Sequence, residues 1–218
     1  MQKPTIYFLA GLGFDKRIFS NLVLEDVNIK FLEWLEPELN ENFDNYIKRI
    51  SNQISSTEKS IILAGHSFGG IVVQKISKLI TAEKVIIISS IKSKKEMSLP
   101  LKLFRYLPLY KMFNQKLILK SFPFWAGAFG YNSEKGRNLF IQMISGCSNN
   151  YFKWAMDKIV HFQGGDNINN LFHIHGTNDR TFPIKRIKNP IPIIDGSHFM
   201  VYSKGEEVSE VINNIIKK

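Results

Sequence analysis

Short runs of β-branched and aliphatic residues recur along the chain, and they constrain its fold more than any other feature. Several are apolar nearly throughout, as strands buried on both faces of a sheet are. Helical patterns lie between them, and this alternation predicts a parallel sheet covered by helices. The expected fold class is α/β, a three-layer sandwich with a mostly parallel sheet of about six strands, flanked by helices, plus a helical cap insertion. The expected strands are residues 5–10, 29–32, 60–64, 84–89, 171–175 and 191–194.

Two intervals between or after these runs predict amphipathic helices, each with a single apolar stripe. One covers residues 68–80, with the stripe Val72, Ile76, Leu79 and Ile80. The other covers residues 206–218, with the stripe Val208, Val211, Ile212 and Ile215. The second also carries glutamates at its start and lysines at its end, as the helix dipole favours.

A long interval separates the fourth expected strand from the fifth. The segment of about 92–165 within it is rich in aromatic and basic residues, and we expect short helices broken at Pro108, Pro123 and Gly127. The chain is therefore expected to form one domain, 1–218, with a cap or lid inserted at about 92–165. Three interpretations of the insertion stay open: a helical layer with its own core, a lid that walls a pocket, and a basic layer that contacts membrane surfaces.

The charge of the chain is high but dispersed. The formal net charge is +10 and the isoelectric point is near 9.6, yet the lysines are spread from Lys3 to Lys218, with one short cluster at 92–95. Since no nucleic-acid motif accompanies them, we expect no nucleic-acid partner, while attraction of anionic substrates stays open.

Location and redox state follow from what the sequence lacks. No apolar run approaches the ~20 residues of a membrane span, and the N-terminus carries no signal-peptide pattern. We therefore expect a cytoplasmic protein without stable membrane insertion. The sequence does not determine its oligomeric state. The single cysteine, Cys147, has no partner for an internal disulfide and is expected to be an idle thiol.

Residues 64–70 read AGHSFGG, with Ser67 flanked two residues away on each side by Gly65 and Gly69. Glycine in a helix is about 1 kcal/mol less favourable than alanine, so glycines where a helix begins need a reason. A sharp strand-to-helix turn supplies one, because side chains at 65 and 69 would collide across it. Such a turn exposes the Ser67 hydroxyl and directs the amide of Phe68 toward developing negative charge. The pattern predicts a nucleophilic serine; the alternative is a structural turn with an idle serine.

A serine hydroxyl becomes a strong nucleophile when a histidine accepts its proton and a carboxylate orients that histidine. His198 follows the last expected strand in a glycine–serine loop, so it is the expected base. His66 is expected to point to the other side of the turn, and His173 and His175 to be core residues of a strand. His161 lies in the insertion.

Asp179 is the expected carboxylate. It lies in a turn just past the strand at 171–175, and catalytic groups of open α/β sheets collect at the carboxyl ends of strands. Two alternatives are weaker: Asp195 belongs to the same short loop as His198, and Asp166 lies in a glycine-rich stretch. Asp179 could also serve only as a turn residue that bonds its own backbone.

Taken together, the segments GHSFG, HGTNDRTFP and GSHFM resemble the α/β-hydrolase superfamily, in which the triad follows the order Ser, acid, His along the chain. The resemblance covers nearly the whole chain. It implies Ser67 as the nucleophile, Asp179 as the acid and His198 as the base.

The resemblance extends to the loop LAGLGFD after the first strand, which is similar to the oxyanion loop of the superfamily with Ala10 in place of its usual histidine. It implies that the amide of Leu12 joins that of Phe68 as an oxyanion donor. It also implies an enzyme without a metal or organic cofactor. A serine at the turn argues against dehalogenase or epoxide-hydrolase chemistry, which uses an aspartate there.

The expected function is therefore hydrolysis of a carboxylic ester or thioester with an apolar acyl part. Two alternatives stay open. One is a lyase or carbon–carbon hydrolase that acts on a small carboxylated substrate, as relatives with a similar triad do. The other is a ligand-binding pseudoenzyme.

Overall fold

A computed structural model describes residues 3–164 and 167–218. In this part of the chain the strands are β1 (Thr5–Leu9), β2 (Asn28–Phe31), β3 (Ile61–His66), β4 (Lys84–Ile88), β5 (Leu171–Gly176) and β6 (Ile191–Ile193). The α-helices are α1 (Phe43–Ser51), α2 (Phe68–Ile76), α3 (Leu99–Phe104), α4 (Gln115–Trp125), α5 (Glu134–Ser145), α6 (Asn149–Val160), α7 (Met200–Ser203) and α8 (Gly205–Lys217).

The six strands form one parallel sheet in the order β2-β1-β3-β4-β5-β6. The expected α/β class and strand number are confirmed, and each strand lies within two residues of its predicted bounds. Because all strands run the same way, their carboxyl ends meet along one edge of the sheet. The loops at this edge hold the residues that the sequence singles out.

Alternate strand residues separate into two apolar cores, one on each face of the sheet. Tyr7 and Leu9 of β1 pack with residues of α1, α2 and α6, whereas Ile6 and Phe8 pack with residues of α5 and α8. This alternation explains why the strands are apolar nearly throughout. Helix α2 is buried almost all round, since it packs against both the sheet and its neighbouring helices.

The helices depart from the sequence-based expectation at three points. Helix α2 ends at Ile76, so Leu79 lies beyond it and is exposed rather than part of a buried stripe. Helix α4 runs through Pro123 and ends two residues later, although a break was expected there. Helix α5 was not predicted; its N-cap Ser133, which accepts a hydrogen bond from the Gly136 amide, was the available signal.

The two ends of the segment between β4 and β5 meet each other. Ser93 and Gly164 form an antiparallel bridge, and the amide of Lys94 donates to the carbonyl of Gln163 at 2.9 Å. Gly164 has a φ of 57°, and a Cβ there would lie 2.1 Å from the carbonyl oxygen of Lys92. Glycine is therefore required where the two ends of the segment meet.

Candidate functional site

Ser67 lies at the tip of the turn from β3 to α2, with φ 52° and ψ −117°, a conformation that residues with a side chain rarely adopt. A Cβ at Gly65 would lie 2.3 Å from the carbonyl oxygen of Gly69, so the expected collision across the turn is real at position 65. At Gly69 the cause is different: a Cβ there would lie 2.2 Å from the carbonyl oxygen of Leu9. The second glycine lets the turn pack against β1.

The turn is also held from β4. The amide of Ser67 donates to the carbonyl of Ile88 at 2.9 Å, and the hydroxyl of Ser90 donates to the carbonyl of Ser67 at 2.7 Å. A Cβ at Gly70 would lie 2.4 Å from that hydroxyl, so this third glycine makes room for Ser90. Sequence reasoning missed Ser90, because it lies 23 residues away along the chain.

The structure brings Ser67, His198 and Asp179 together in one buried chain of hydrogen bonds. His198 Nδ1 lies 2.9 Å from Asp179 Oδ2, and His198 Nε2 lies 2.9 Å from Ser67 Oγ. Since an ionised carboxylate only accepts hydrogen bonds, Nδ1 carries the proton and Nε2 accepts from the serine hydroxyl. This is the tautomer that a general base needs in order to take the serine proton.

Asp179 is nearly inaccessible to solvent and is held by backbone amides. Its Oδ1 accepts hydrogen bonds from the amides of Thr181 at 2.8 Å and Phe182 at 2.9 Å, which leaves Oδ2 to face His198. Burial alone would raise the pKa of Asp179, but the neighbouring His198 and His175 and the hydrogen bonds hold that pKa below its ordinary value. The carboxylate is therefore ionised at neutral pH.

Two buried histidines of β5 lie behind Asp179. His175 Nε2 donates to the carbonyl of Phe182 at 2.7 Å and lies 3.5 Å from Asp179 Oδ2. Burial lowers the pKa of His175, so its ring is neutral and Nδ1 accepts from His173 Nε2 at 3.1 Å. Both are buried, as the sequence predicts, and they support the loop that carries the carboxylate.

His66 supports the loop that carries His198. Its side chain is expected on the other side of the turn, yet its Nε2 lies 2.9 Å from the carbonyl oxygen of His198, to which it donates. Burial, together with the nearby His198, lowers the pKa of His66 to about 3, so the ring stays neutral. His66 therefore fixes the backbone of His198.

The remaining candidates lie apart from this chain of hydrogen bonds. Asp195 is exposed and accepts a hydrogen bond from Asn178 at 3.2 Å, whereas Asp166 is outside the described residues. His161 is exposed on the insertion, where its Nδ1 lies 2.9 Å from the carbonyl of Asp157. Burial raises the pKa of the Cys147 thiol to about 12, which makes it a poor nucleophile.

The loop after β1 approaches the serine closely. A Cβ at Gly11 would lie 3.1 Å from Ser67 Cβ, so only glycine fits there without displacing the serine. The amide of Phe14 donates to the carbonyl of Gly11 at 3.0 Å, and Gly13 has φ 74°, which together form a tight turn around Leu12. Among the described residues, the amides of Leu12 and Phe68 donate to no protein acceptor. Both are available to a ligand beside Ser67.

An apolar cavity of about 630 Å³ opens onto Ser67 and His198. Its walls come from the loop after β1, the loop after β5 and the helices between β4 and β5, among them Leu101, Phe113, Leu117, Trp125, Phe140 and Phe152. Among the described residues, its walls contain no lysine, arginine, aspartate or glutamate. The cavity therefore suits a ligand whose main part is uncharged and apolar.

The described residues form neither a metal site nor a membrane-spanning helix. In residues 3–164 and 167–218, no group of three histidine, cysteine, aspartate or glutamate side chains is placed to hold a metal ion. None of the helices described there has the length and hydropathy needed to cross a bilayer.

The structure resembles solved structures of α/β hydrolases over nearly the whole chain. A lipase-esterase related protein from Clostridium acetobutylicum is 20% identical, with 98% of this chain and 95% of that chain covered at a TM-score of 0.67. A thermophilic esterase from Thermogutta terrifontis is 13% identical, with 98% and 89% covered at 0.74. A type II thioesterase from the yersiniabactin pathway is 13% identical, with 99% and 92% covered at 0.64.

The sequence itself matches no family model and no curated protein. Likeness at such low identity establishes architecture and not reaction, because one fold hosts many activities. The parallel sheet, the strand-to-helix turn at Ser67 and the matched structures lead to one conclusion: the protein has the α/β-hydrolase fold.

Proposed function

We propose that the protein is a serine hydrolase that cleaves a carboxylic ester or thioester with an apolar acyl part. One observation carries this proposal: the hydrogen-bonded chain Ser67–His198–Asp179 ends at the mouth of an apolar cavity. A binding protein would need the cavity but would have no use for a strained, activated serine at its mouth.

The reaction begins with attack of Ser67 Oγ on the acyl carbon, while His198 Nε2 accepts the hydroxyl proton. The imidazolium that forms is stabilised by Asp179 Oδ2 at 2.9 Å from Nδ1. The amides of Leu12 and Phe68 donate to the oxyanion of the tetrahedral intermediate, each contributing about 3 kcal/mol to lowering the barrier. Helix α2 begins at Phe68, so its dipole also favours negative charge there.

Collapse of the intermediate releases the alcohol or thiol, which takes its proton from His198, and leaves the acyl group on Ser67. His198 then accepts a proton from a water molecule, whose oxygen attacks the acyl carbon. The second tetrahedral intermediate releases the carboxylic acid and restores the serine hydroxyl. Every proton in the cycle passes through His198 Nε2.

The cavity supports an apolar acyl group over the alternative of a small carboxylated substrate. A carboxylate in this site would need a cationic partner or several donors, since burying an unpaired charge is strongly unfavourable. Among the described wall residues, the polar side chains are Ser67, Ser121, Tyr131, Thr181 and His198. The matched esterase and thioesterase structures are compatible with this class of substrate.

We also propose that residues 92–165 act as the cap of this site. Helices α3 to α6 contribute most of the apolar wall, and the two ends of the segment meet at the bridge between Ser93 and Gly164. The cap would then set the length and shape of the acyl group, while the loops at the sheet edge perform the chemistry.

A covalent probe tests the nucleophile. A fluorophosphonate should label the parent protein on Ser67, and Ser67→Ala should abolish labelling. Ser121→Ala is the matched control, because Ser121 lines the same cavity and accepts a hydrogen bond from Trp125 instead of joining the triad. Failure to label the parent, or labelling that survives Ser67→Ala, would overturn the proposed mechanism.

A chain-length series tests the substrate class. Aryl esters and acyl thioesters of increasing acyl length should show a maximum of kcat/KM at an apolar chain longer than acetyl, because a cavity of about 630 Å³ rewards burial of methylene groups. Ser67→Ala should lower kcat by about 10⁶-fold on the best substrate. A preference for carboxylated substrates would favour the lyase alternative instead.

A further inference from the structure

The outer surface of the insertion carries an unusual set of exposed apolar side chains. Within residues 99–112, six large apolar residues are at least half exposed, and Tyr106 and Met112 reach 79% and 73%. We call this set the apolar surface; its members are Leu99, Leu103, Tyr106, Leu107, Leu109 and Met112. Single exposed apolar residues are normal on soluble proteins, but so many in one short segment mark an interaction site.

Poor packing of the segment does not explain these exposed side chains, because other apolar side chains of the same segment are packed against the core. Leu101 and Phe104 of α3 and Phe113 pack against the apolar core, and Phe104 contacts the rings of Tyr110 and Phe113. Helix α3 therefore presents one apolar face inward and a second, with Leu99 and Leu103, outward. A helix that is apolar on both faces needs a partner for each.

The charged residues of the segment 97–133, which carries the apolar surface, have one sign; from outside it, Asp157 contacts Tyr110 and is paired with Lys158. No aspartate or glutamate occurs between Glu96 and Glu134, whereas five basic residues do: Lys102, Arg105, Lys111, Lys116 and Lys120. Three of them lie within the apolar surface or directly beside it. The complementary partner therefore combines an apolar layer with negative charge.

A lipid bilayer fits this combination better than a protein does. Protein interfaces are enriched in arginine and depleted in lysine, but four of the five basic residues here are lysines. Lysine suits a bilayer surface, because its long apolar stem can lie along the acyl region while its ammonium group reaches the headgroups. Tyrosine, here Tyr106, is favoured at the same depth.

We propose that the apolar surface docks the protein onto anionic lipid bilayers. Leu99, Leu103 and their neighbours enter the boundary between headgroups and acyl chains, and the lysines contact the anionic headgroups. Helix α4 follows directly; its Leu117 is partly exposed and also lines the cavity, so the docked face adjoins the cavity wall. The inference holds whichever reaction Ser67 performs.

Vesicle sedimentation tests the apolar contribution. The full-length protein should sediment with vesicles of phosphatidylglycerol and phosphatidylcholine in equal parts, and much less with phosphatidylcholine alone. The double variant Tyr106→Ser/Met112→Ser should weaken this binding by about tenfold or more. The matched control is Val23→Ser/Leu39→Ser, which removes two exposed apolar side chains outside the insertion and should bind as the parent does.

A second pair of variants tests the charge. Lys111→Glu/Lys116→Glu should weaken binding by about tenfold or more, and binding of the parent should fall as salt rises. Lys48→Glu/Lys59→Glu changes the net charge equally outside the insertion and should have a much smaller effect. Urea unfolding in the absence of vesicles serves as the check that all variants are folded, and it does not depend on the reactivity of Ser67.

Three outcomes would overturn the proposal. The parent could fail to sediment with anionic vesicles, or each variant pair could lose no more binding than its control. In the third, the parent binds no vesicles but is retained on an immobilised acidic protein such as serum albumin, and Tyr106→Ser/Met112→Ser is not retained. That outcome would make the apolar surface a protein interface.

Discussion

The two oxygens of Asp179 have different tasks. Oδ1 accepts from the amides of Thr181 and Phe182, and Oδ2 faces Nδ1 of His198. The backbone thus fixes which oxygen faces His198. This division determines what happens when one oxygen is replaced by an amide nitrogen.

Asp179→Asn should lower kcat by about 10⁴-fold on an ester substrate. The asparagine oxygen stays with the two backbone amides, so its NH₂ group faces His198 Nδ1 and forces the ring proton onto Nε2. The ring then no longer accepts the Ser67 proton. The control is Asp195→Asn, which alters an exposed carboxylate bonded to Asn178 and should leave kcat within about twofold. A similar loss in both variants would contradict the assigned roles.

Ser67, Asp179 and His198 can be chosen from the sequence because each follows an apolar run that predicts a strand, and parallel strands bring their ends together. Ser90, His66 and His175 could not be found in this way. Their roles depend on contacts such as that of His66 with the carbonyl of His198, 132 residues away. A single sequence carries no local signal for such a contact.

At the scale of elements, the junction of β3 and α2 is the most constrained part of the fold. Gly65 faces backbone atoms of the following helix, and backbone cannot move aside as a flexible side chain can. Gly65→Ala should therefore lower the free energy of unfolding by about 3 kcal/mol or more and abolish fluorophosphonate labelling.

Gly127→Ala is the matched control for that substitution. A Cβ at Gly127 would find its nearest neighbour at 3.7 Å, an ordinary contact, so stability and labelling should match the parent. Urea unfolding and probe labelling of both variants measure the difference. Equal behaviour of the two would show that the junction tolerates a side chain.

The strands were easier to predict than the helices, for a physical reason. A strand buried on both faces, such as β3 or β4, must be apolar throughout, so its bounds are visible in the sequence. Helix α4 runs through Pro123 although proline cannot donate to the carbonyl of Leu119, four residues back, and the helix ends two residues later. Leu79 fits the apolar spacing of α2 but lies beyond the end of the helix and is exposed. An apolar period does not specify where a helix ends.

For the whole molecule, buried neutral histidines couple folding to pH. Burial is the main cause that lowers the pKa of His66 to about 3 and of His173 to about 2, and it also lowers the pKa of His175. In the unfolded chain each titrates near 6.5. Below that pH the unfolded state binds more protons than the folded state, so stability is full above pH 6.5 and is lost as the pH falls.

The free energy of unfolding should therefore decrease by about 3 kcal/mol between pH 7.5 and pH 5.5 from His66 and His173 alone, with His175 acting in the same direction. The lowered pKa of Asp179 has the same sign, but its effect begins only below the ordinary value near 3.8. Urea unfolding at several pH values measures this slope. A flat profile in the parent would contradict the burial of neutral rings.

The bridge between Ser93 and Gly164 brings the two ends of the inserted segment together. A segment whose two ends meet at one point can lengthen, shorten or be exchanged without altering the spacing of the strands on either side. Ser67, Asp179 and His198 all lie outside it, so we expect an exchange of the segment to change the cavity walls and leave the hydrogen bonds among these three residues in place. Gly164 would have to be kept in such an exchange, because a Cβ there would lie 2.1 Å from the carbonyl oxygen of Lys92.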